Sequence, residues 1–123
     1  MSTKSKAKVL LLDDDSTFCK VFAREAKRSN VKADTCETVD QFCLKALNND
    51  YDIVMIDYNL GQLKGNMVAK VIETKSVILI SHDSEVNNSA DWPYSVTGFI
   101  GKSQPISQLM GEMLEKSQTL KAA

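Results

Sequence analysis

Side chains that bind cations or phosphoryl groups follow short apolar runs at several places in the sequence. They are three carboxylates, one hydroxyl and one ammonium, namely Asp13, Asp14, Asp57, Ser81 and Lys102. Clustered carboxylates repel one another, so they need either a proton or a cation between them. Mg²⁺ prefers oxygen ligands and usually takes one or two carboxylates together with water and phosphate. These residue types therefore predict a Mg²⁺ site with Asp14 and Asp57 as direct ligands and Asp13 acting through water.

A carboxylate at such a site can also attack phosphorus, as in enzymes that form an aspartyl phosphate. Asp57 is the candidate nucleophile, with Mg²⁺ shielding the repulsion between the acids and an incoming phosphoryl group. Lys102 would supply a positive charge for one phosphoryl oxygen, and Ser81 a hydroxyl donor for another. Two plainer interpretations stay open: residues 13–15 cap a helix, and Lys102 is a solvated side chain. Convergence of these groups at one place would favour the phosphoryl site.

The apolar runs before these residues have the length and branching of buried strands. Residues 9–12, 53–56 and 77–80 are unbroken apolar runs, which suit strands covered on both faces of a parallel sheet. Residues 31–36 and 97–100 predict two further strands. Apolar residues at helical spacing predict intervening helices at 18–26, 39–47, 68–72 and 84–90 and a last helix at 106–114 that begins near Pro105. Asp15 or Ser16 would cap the first helix, and Thr38 with Gln41 forms a capping box for the second.

Strand and helix alternate five times, which predicts an α/β fold with one parallel sheet between helices. Because all strands of such a sheet end at the same edge, the five reactive side chains should meet there. The 123 residues suit a single domain. We expect its core at about 8–115, with tails at 1–7 and 116–123.

Composition and charge argue against several classes of partner. The net charge of −1 gives no electrostatic case for nucleic acid or an anionic membrane. No apolar run approaches the ~18 residues that span a membrane, and no signal peptide precedes the first strand. Cys19, Cys36 and Cys43 lack metal-ligand spacing. Cys19 and Cys43 fall in helical patterns and are interpreted as reduced thiols, which favours a cytoplasmic protein.

Four segments resemble the receiver domain of two-component response regulators. They are VLLLDDD at 9–15, DIVMID at 52–57, VILIS at 77–81 and GFIGK at 98–102. The resemblance extends from about Lys8 to Leu114 in the order of the family, and Gly65 also matches. It implies a (βα)5 flavodoxin-like fold. It also implies that Asp57 accepts a phosphoryl group from a histidine kinase or a phosphotransfer protein.

The resemblance assigns roles to individual residues as well. Mg²⁺ would be held by Asp13, Asp14, Asp57 and the backbone carbonyl of Asn59, with Asp13 acting through water. Lys102 would contact the phosphoryl group, and Ser81 and Phe99 would form a switch pair. Phosphorylation would then alter affinity for a downstream protein partner rather than release a product.

The sequence departs from the family at several positions. Ser103 stands where the family lysine is usually followed by proline, and Gly61 stands where proline is common after the phosphoacceptor. Phe99 lacks the hydroxyl of a tyrosine, and His82 either screens the phosphoryl site or is an exposed edge residue. The fourth helix is interrupted at 91–94, where Trp92 is either a binding anchor or a plug in the gap left by a shortened helix.

Three functional hypotheses follow. The first is a stand-alone receiver controlled by phosphorylation, since no output domain follows the last helix of the sequence. The alternative is a receiver-like interaction module that works independently of phosphorylation. A hydrolase that turns over at Asp57 is less favoured, because its acid–base residue would ordinarily lie two positions after the nucleophile, where this sequence has Asn59.

Overall fold

A five-stranded parallel sheet forms the centre of the protein. The computed structural model describes residues 7–60, 63–64, 68, 77–82 and 96–122. Their elements are β1 (Lys8–Leu12), α1 (Ser16–Arg28), β2 (Lys32–Cys36), α2 (Val39–Asn48), β3 (Ile53–Asp57), β4 (Asn59–Leu60), β5 (Leu63–Lys64), β6 (Val77–Ser81), β7 (Val96–Gly101) and α3 (Ile106–Ala122). The sheet order is β2-β1-β3-β6-β7, and all its pairings are parallel. This confirms the predicted α/β fold and the flavodoxin-like strand order.

The sheet is covered on both faces, which explains its unbroken apolar strands. Successive side chains of a strand point to opposite faces. Leu11 and Met55 therefore pack in the core cluster beneath α1 and α3, whereas Leu10 and Val54 pack in the cluster beneath α2. Every residue of β3 and β6 is buried, as parallel strands between two helix layers require.

Local sequence sets both ends of α1. The Asp15 side chain accepts hydrogen bonds from two N–H groups of the first turn at 3.0 and 3.2 Å, so Asp15, rather than Ser16, is the cap. At the other end Asn30 adopts a φ of 59°, a left-handed conformation that asparagine tolerates better than most residues. The N–H of Val31 then donates to the carbonyl of Ala26 at 2.8 Å, which closes the helix in a Schellman motif.

The capping box of α2 is displaced by one residue from the prediction. Thr38 accepts from the N–H of Gln41 at 3.2 Å, as expected. The Gln41 side chain, however, accepts from the N–H of Glu37 at 3.3 Å. The cap was therefore predicted correctly, whereas the return hydrogen bond comes from the residue before the cap and not from the cap itself, as a capping box requires.

Two segments differ from their predicted structure. The stretch after Asp57, for which the sequence predicts no strand, contains the antiparallel pair β4–β5. Strands of two residues are too short to leave a periodic signal in a sequence. α3 continues through the residues after Glu115 that were predicted as a tail, since that stretch contains no glycine or proline to end it. Pro105 directly precedes α3, and its carbonyl accepts from two N–H groups of the first turn at 3.0 Å.

Several predictions concern residues that the structure does not describe. They involve Gly61, Gly65, Trp92, the helix at 84–90 and most of the helix at 68–72, of which Val68 alone is described; it is helical and buried. Among the described helices, none combines the length and the apolar character needed to cross a membrane.

Candidate functional site

The carboxyl ends of adjacent strands bring the predicted side chains to one edge of the sheet. Asp13 directly follows β1, Asp57 ends β3, Ser81 ends β6 and Lys102 follows β7. Backbone hydrogen bonds continue the ladder past the strands: Tyr58 N–H donates to the carbonyl of Ile80, and Lys102 N–H donates to that of Ser81, both at 2.9 Å. The predicted convergence is therefore observed.

Three carboxylates form the negative part of the site. One ligand oxygen from each of Asp13, Asp14 and Asp57 lies within 4.8 Å of the other two. Asp13 is fully buried and Asp57 is 6% exposed, whereas Asp14 is exposed to solvent. The Asp13 carboxylate also accepts the N–H of Asp15 at 2.9 Å, which fixes its orientation.

Lys102 reaches into this acidic cluster. Its Nζ lies 2.7 Å from Asp13 Oδ2 and 3.7 Å from Asp57 Oδ2, and its side chain is 5% exposed. The aromatic ring of Phe18 lies against the same ammonium, with 4.4 Å between Nζ and the ring centroid. Sequence reasoning predicted neither the direct Lys102–Asp13 ion pair nor the contact with Phe18, because both depend on how α1 packs beside the end of β7.

Burial and neighbouring charge change the acidity of Asp57. Burial, followed by the charge of Asp13, raises the pKa of Asp57 from 3.8 to about 6, although Lys102 and the hydrogen bond from the Asn59 backbone oppose this shift. Among the described residues, the Lys102 ammonium contacts two of the three carboxylates, and its single positive charge leaves two of the three formal negative charges uncompensated. An oxygen-only donor set with this charge fits a hard divalent cation such as Mg²⁺.

Ser81 and Phe99 occupy neighbouring strands beside the cluster. Ser81 is 1% exposed and pairs with Gly101 across the sheet. Phe99 is half-buried and packs against the core cluster beneath α2.

His82 and Ser103 connect the two loops that follow β6 and β7. His82 is exposed, and its Nδ1 lies 3.0 Å from Ser103 Oγ. The peptide bond between Lys102 and Ser103 is trans, like all others in the described segments. The exposed position agrees with one of the two interpretations of His82, and the hydrogen bond adds a link that the sequence did not indicate.

Cys19, on α1, lies next to the site and contacts the backbone of Asp13. Its thiol donates to the backbone carbonyl of Asp13 at 3.3 Å. Burial first, and then the charge of Asp13, raises the pKa of Cys19 to about 12. Cys19, Cys36 and Cys43 are all free cysteines, and the raised pKa of Cys19 favours the protonated thiol that donates to Asp13.

Known proteins share both the sequence pattern and the fold. The family model described as "Response regulator receiver domain" matches residues 9–114. A CheY-like receiver domain protein from Methanospirillum hungatei is 16% identical, with a TM-score of 0.83 over 96% of this chain and 98% of that one. The response regulator TrrA from Thermotoga maritima, solved in complex with Mg²⁺ and BeF, is 19% identical, with a TM-score of 0.78 over 89% and 98% of the two chains.

A third solved structure is similar to the same degree. It is the N-terminal domain of a response regulator/sensory box/GGDEF 3-domain protein from Carboxydothermus hydrogenoformans, which is 20% identical, with a TM-score of 0.80 over 94% and 97% of the two chains. No curated protein sequence matches the chain. At these identities the solved structures establish the fold, and the match to the family model establishes the family to which the chain belongs.

Proposed function

The chain belongs to the response regulator receiver domain family of two-component systems, and we propose that Asp57 accepts a phosphoryl group from a histidine kinase or a phosphotransfer protein. The observation that carries the proposal is the position of the Lys102 ammonium between Asp13 and Asp57, at 2.7 and 3.7 Å. A cation held beside a buried carboxylate is suited to receive the charge that a phosphoryl group brings. The outcome would be altered affinity for a downstream protein partner, in the reducing cytoplasm that the unpaired cysteines favour.

The ionised form of Asp57 would be the nucleophile. With a pKa of about 6, this carboxylate is mostly ionised at neutral pH. One of its oxygens would bond to phosphorus as the bond between phosphorus and the donor imidazole nitrogen breaks. Lys102 would then donate from Nζ to a phosphoryl oxygen, and the Ser81 hydroxyl would donate to another.

The carboxylates of Asp14 and Asp57 would hold Mg²⁺ together with the backbone carbonyl of Asn59, and Asp13 would act through water. When bound, Mg²⁺ supplies the positive charge that the cluster needs to admit an anionic phosphoryl group. The exposure of Asp14 leaves one side of the cluster open to solvent, so a cation can reach the buried oxygens of its two neighbours.

Ser81 and Phe99 would change conformation when Asp57 is phosphorylated. The phosphoryl group would draw the Ser81 hydroxyl toward it, and the half-buried ring of Phe99 would move inward behind that residue. Such a change shifts an existing equilibrium between two conformations, and its size is limited by the differential affinity of the phosphoryl group for them.

Phosphorylation of two variants tests the proposal. The protein is incubated with Mg²⁺ and acetyl phosphate, and the intact mass is measured. We expect one added phosphoryl group on the wild type and none on Asp57→Asn. Asp52→Asn is a matched control, because Asp52 is an exposed acid before β3 rather than at its carboxyl end; it should be labelled like the wild type. Equal labelling of wild type and Asp57→Asn would contradict the assignment, whereas an unlabelled wild type that still binds its partner would support a phosphate-independent module.

A further inference from the structure

The Lys102 ammonium is enclosed by two carboxylates and one aromatic ring. Asp13 accepts a hydrogen bond at 2.7 Å, Asp57 lies at 3.7 Å, and the Phe18 centroid lies at 4.4 Å. The Lys102 side chain is only 5% exposed. The ring therefore occupies space from which water would otherwise solvate the ammonium.

Phe18 is itself held firmly in place. Its backbone N–H donates to the capping carboxylate of Asp15 at 3.2 Å. Its ring stacks on Phe22, with 6.4 Å between the centroids and 29° between the planes, and it packs against the core cluster beneath α1 and α3. The position of the ring is thus determined by the first turn of α1 and not by Lys102.

We propose that Phe18 is a positioning residue for phosphoryl transfer, one that directs the Lys102 ammonium toward the phosphoryl site. The inference rests on the proposed function of Asp57. A cation is attracted to the face of an aromatic ring within about 6 Å, and more strongly when it is shielded from water. The attraction acts on the whole ammonium group at the ring face, so an N–H of Nζ can turn from Asp13 to a phosphoryl oxygen while Nζ stays over the ring.

Ordinary core packing does not account for this arrangement. A leucine at position 18 would fill much of the same apolar space beside Phe22, but it would offer no π face to the ammonium. Substitution by leucine therefore removes the cation–π contact while keeping an apolar side chain. Phe18→Tyr keeps both the ring and most of the packing.

The test measures beryllofluoride affinity in the presence of Mg²⁺, by NMR titration of the folded chain. Phe18→Leu should bind about fivefold more weakly than the wild type, and Phe18→Tyr should stay within about twofold of it. In a Lys102→Met background, Phe18→Leu should cause no further loss, because the cation that the ring faces is gone. Phe42→Leu is the matched control: Phe42 is fully buried in the core cluster beneath α2, so it should lower stability without changing affinity.

The outcomes separate this inference from the proposed function. If the wild type binds beryllofluoride and Phe18→Leu binds it with the same affinity, the positioning role alone is overturned. Equal losses with and without Lys102 would also overturn it, since they would indicate a structural effect. Wild type that fails to bind beryllofluoride would refute the phosphoacceptor site and the positioning role with it. Upfield ring-current shifts of the Lys102 Hε protons, lost in Phe18→Leu, should accompany the expected result, and their absence from the wild type would overturn the contact directly.

Discussion

Protonation of Asp57 links the chemistry of this residue to the stability of the fold. Its pKa rises from 3.8 to about 6 on folding, mainly because of burial and secondly because of Asp13. Between these two values the folded chain binds more protons than the unfolded chain does. The free energy of unfolding of the metal-free protein therefore falls as the pH rises from about 4 to 6. A reactive carboxylate is thus kept at a cost in stability that is greatest at neutral pH.

Asp57→Asn should remove that cost. In EDTA at pH 7 we expect the variant to unfold with a free energy about 1 to 2 kcal/mol above that of the wild type. At about pH 3, below both pKa values, the difference should disappear, because Asp57 is then mostly protonated in both the folded and the unfolded chain. Urea unfolding of the wild type and of Asp57→Asn, at neutral and at acidic pH, measures the difference in unfolding free energy under each condition. A variant less stable than the wild type at pH 7 would show that the ionised carboxylate stabilises the fold instead.

Lys102 has the opposite effect, since it compensates the charge of a fully buried carboxylate. Asp13 is 0% exposed and lies 2.7 Å from Nζ. Removal of one partner of a buried ion pair leaves a buried charge uncompensated, so Lys102→Met should lower the free energy of unfolding by about 3 kcal/mol. Mg²⁺ should restore part of the loss.

An exposed ion pair provides the comparison for that result. Arg28 is 77% exposed and lies 3.8 Å from Glu25, so Arg28→Met should cost less than about 1 kcal/mol. Urea unfolding of both variants, with and without Mg²⁺, gives the comparison. Similar losses for the two variants, or a loss at Lys102 that Mg²⁺ does not reduce, would contradict the assigned role of the buried lysine.

Among the elements, α1 makes contacts at the site although it supplies none of the predicted site residues. Its first turn brings Phe18 to Lys102 and brings the Cys19 thiol to the carbonyl of Asp13. Asp15 caps that turn. The cap therefore affects two properties, the stability of α1 and the placement of the groups that touch the site.

Asp15→Ala should separate these two properties from each other. Loss of the cap should cost about 1 kcal/mol of unfolding free energy. Phosphorylation by acetyl phosphate should slow, because the backbone N–H of Phe18 loses the carboxylate that holds it. Thr38→Ala removes the cap of α2, which carries no predicted site residue, and should lower stability similarly without changing the rate. Thermal unfolding and time-resolved mass measurement test the pair. Equal rates for the two variants would show that the cap of α1 matters for stability only.

The elements also show which features the sequence makes predictable. β1, β3 and β6 are covered on both faces, so their apolar runs are unbroken and visible. Asp15 and Thr38 act through atoms two or three residues away, a range that a local pattern covers. β4 and β5 pair over only two residues each, and no periodicity arises over so short a length.

The same distinction applies to the residues of the site, some of which could be predicted from the sequence and some of which could not. Its strand-end residues were predictable because a parallel sheet gathers strand ends at one edge. The Phe18–Lys102 contact was not predictable, because it depends on the packing of α1 against the end of β7. A helical apolar pattern gives the buried face of a helix but not the neighbour that this face meets.

For the whole molecule, the site exists only when the chain is folded. Asp13 and Lys102 are 89 positions apart in sequence, and the cluster draws on residues next to three strands of the sheet. A ligand that needs all three carboxylates together has no such site on the unfolded chain. Binding of such a ligand therefore stabilises the folded chain, by an amount that increases with the ligand concentration relative to the dissociation constant.

Mg²⁺ should accordingly stabilise the protein against unfolding. At a concentration about 100-fold above the dissociation constant, the expected gain is about 2.7 kcal/mol, and EDTA should reverse it. Asp14→Asn should lose most of the gain, because its exposed carboxylate is one of the proposed ligands. Asp40→Asn, which changes an exposed acid on α2, should keep it. Thermal unfolding with and without Mg²⁺ compares the three proteins, and an equal gain in Asp14→Asn would place the ion elsewhere.

The pH dependence of the stabilisation by Mg²⁺ tests whether Asp57 is one of the ligands of the ion. A carboxylate must lose its proton to bind a cation, and the pKa of Asp57 is about 6 in the metal-free protein. Mg²⁺ and the proton therefore compete for the same oxygens. The stabilisation by Mg²⁺ should be smaller at pH 5 than at pH 7.5, where Asp57 is already ionised. In Asp57→Asn no such proton is displaced, so any stabilisation by Mg²⁺ that remains should change less over this range. A gain in the wild type that is the same at both pH values would mean that Asp57 is not among the ligands.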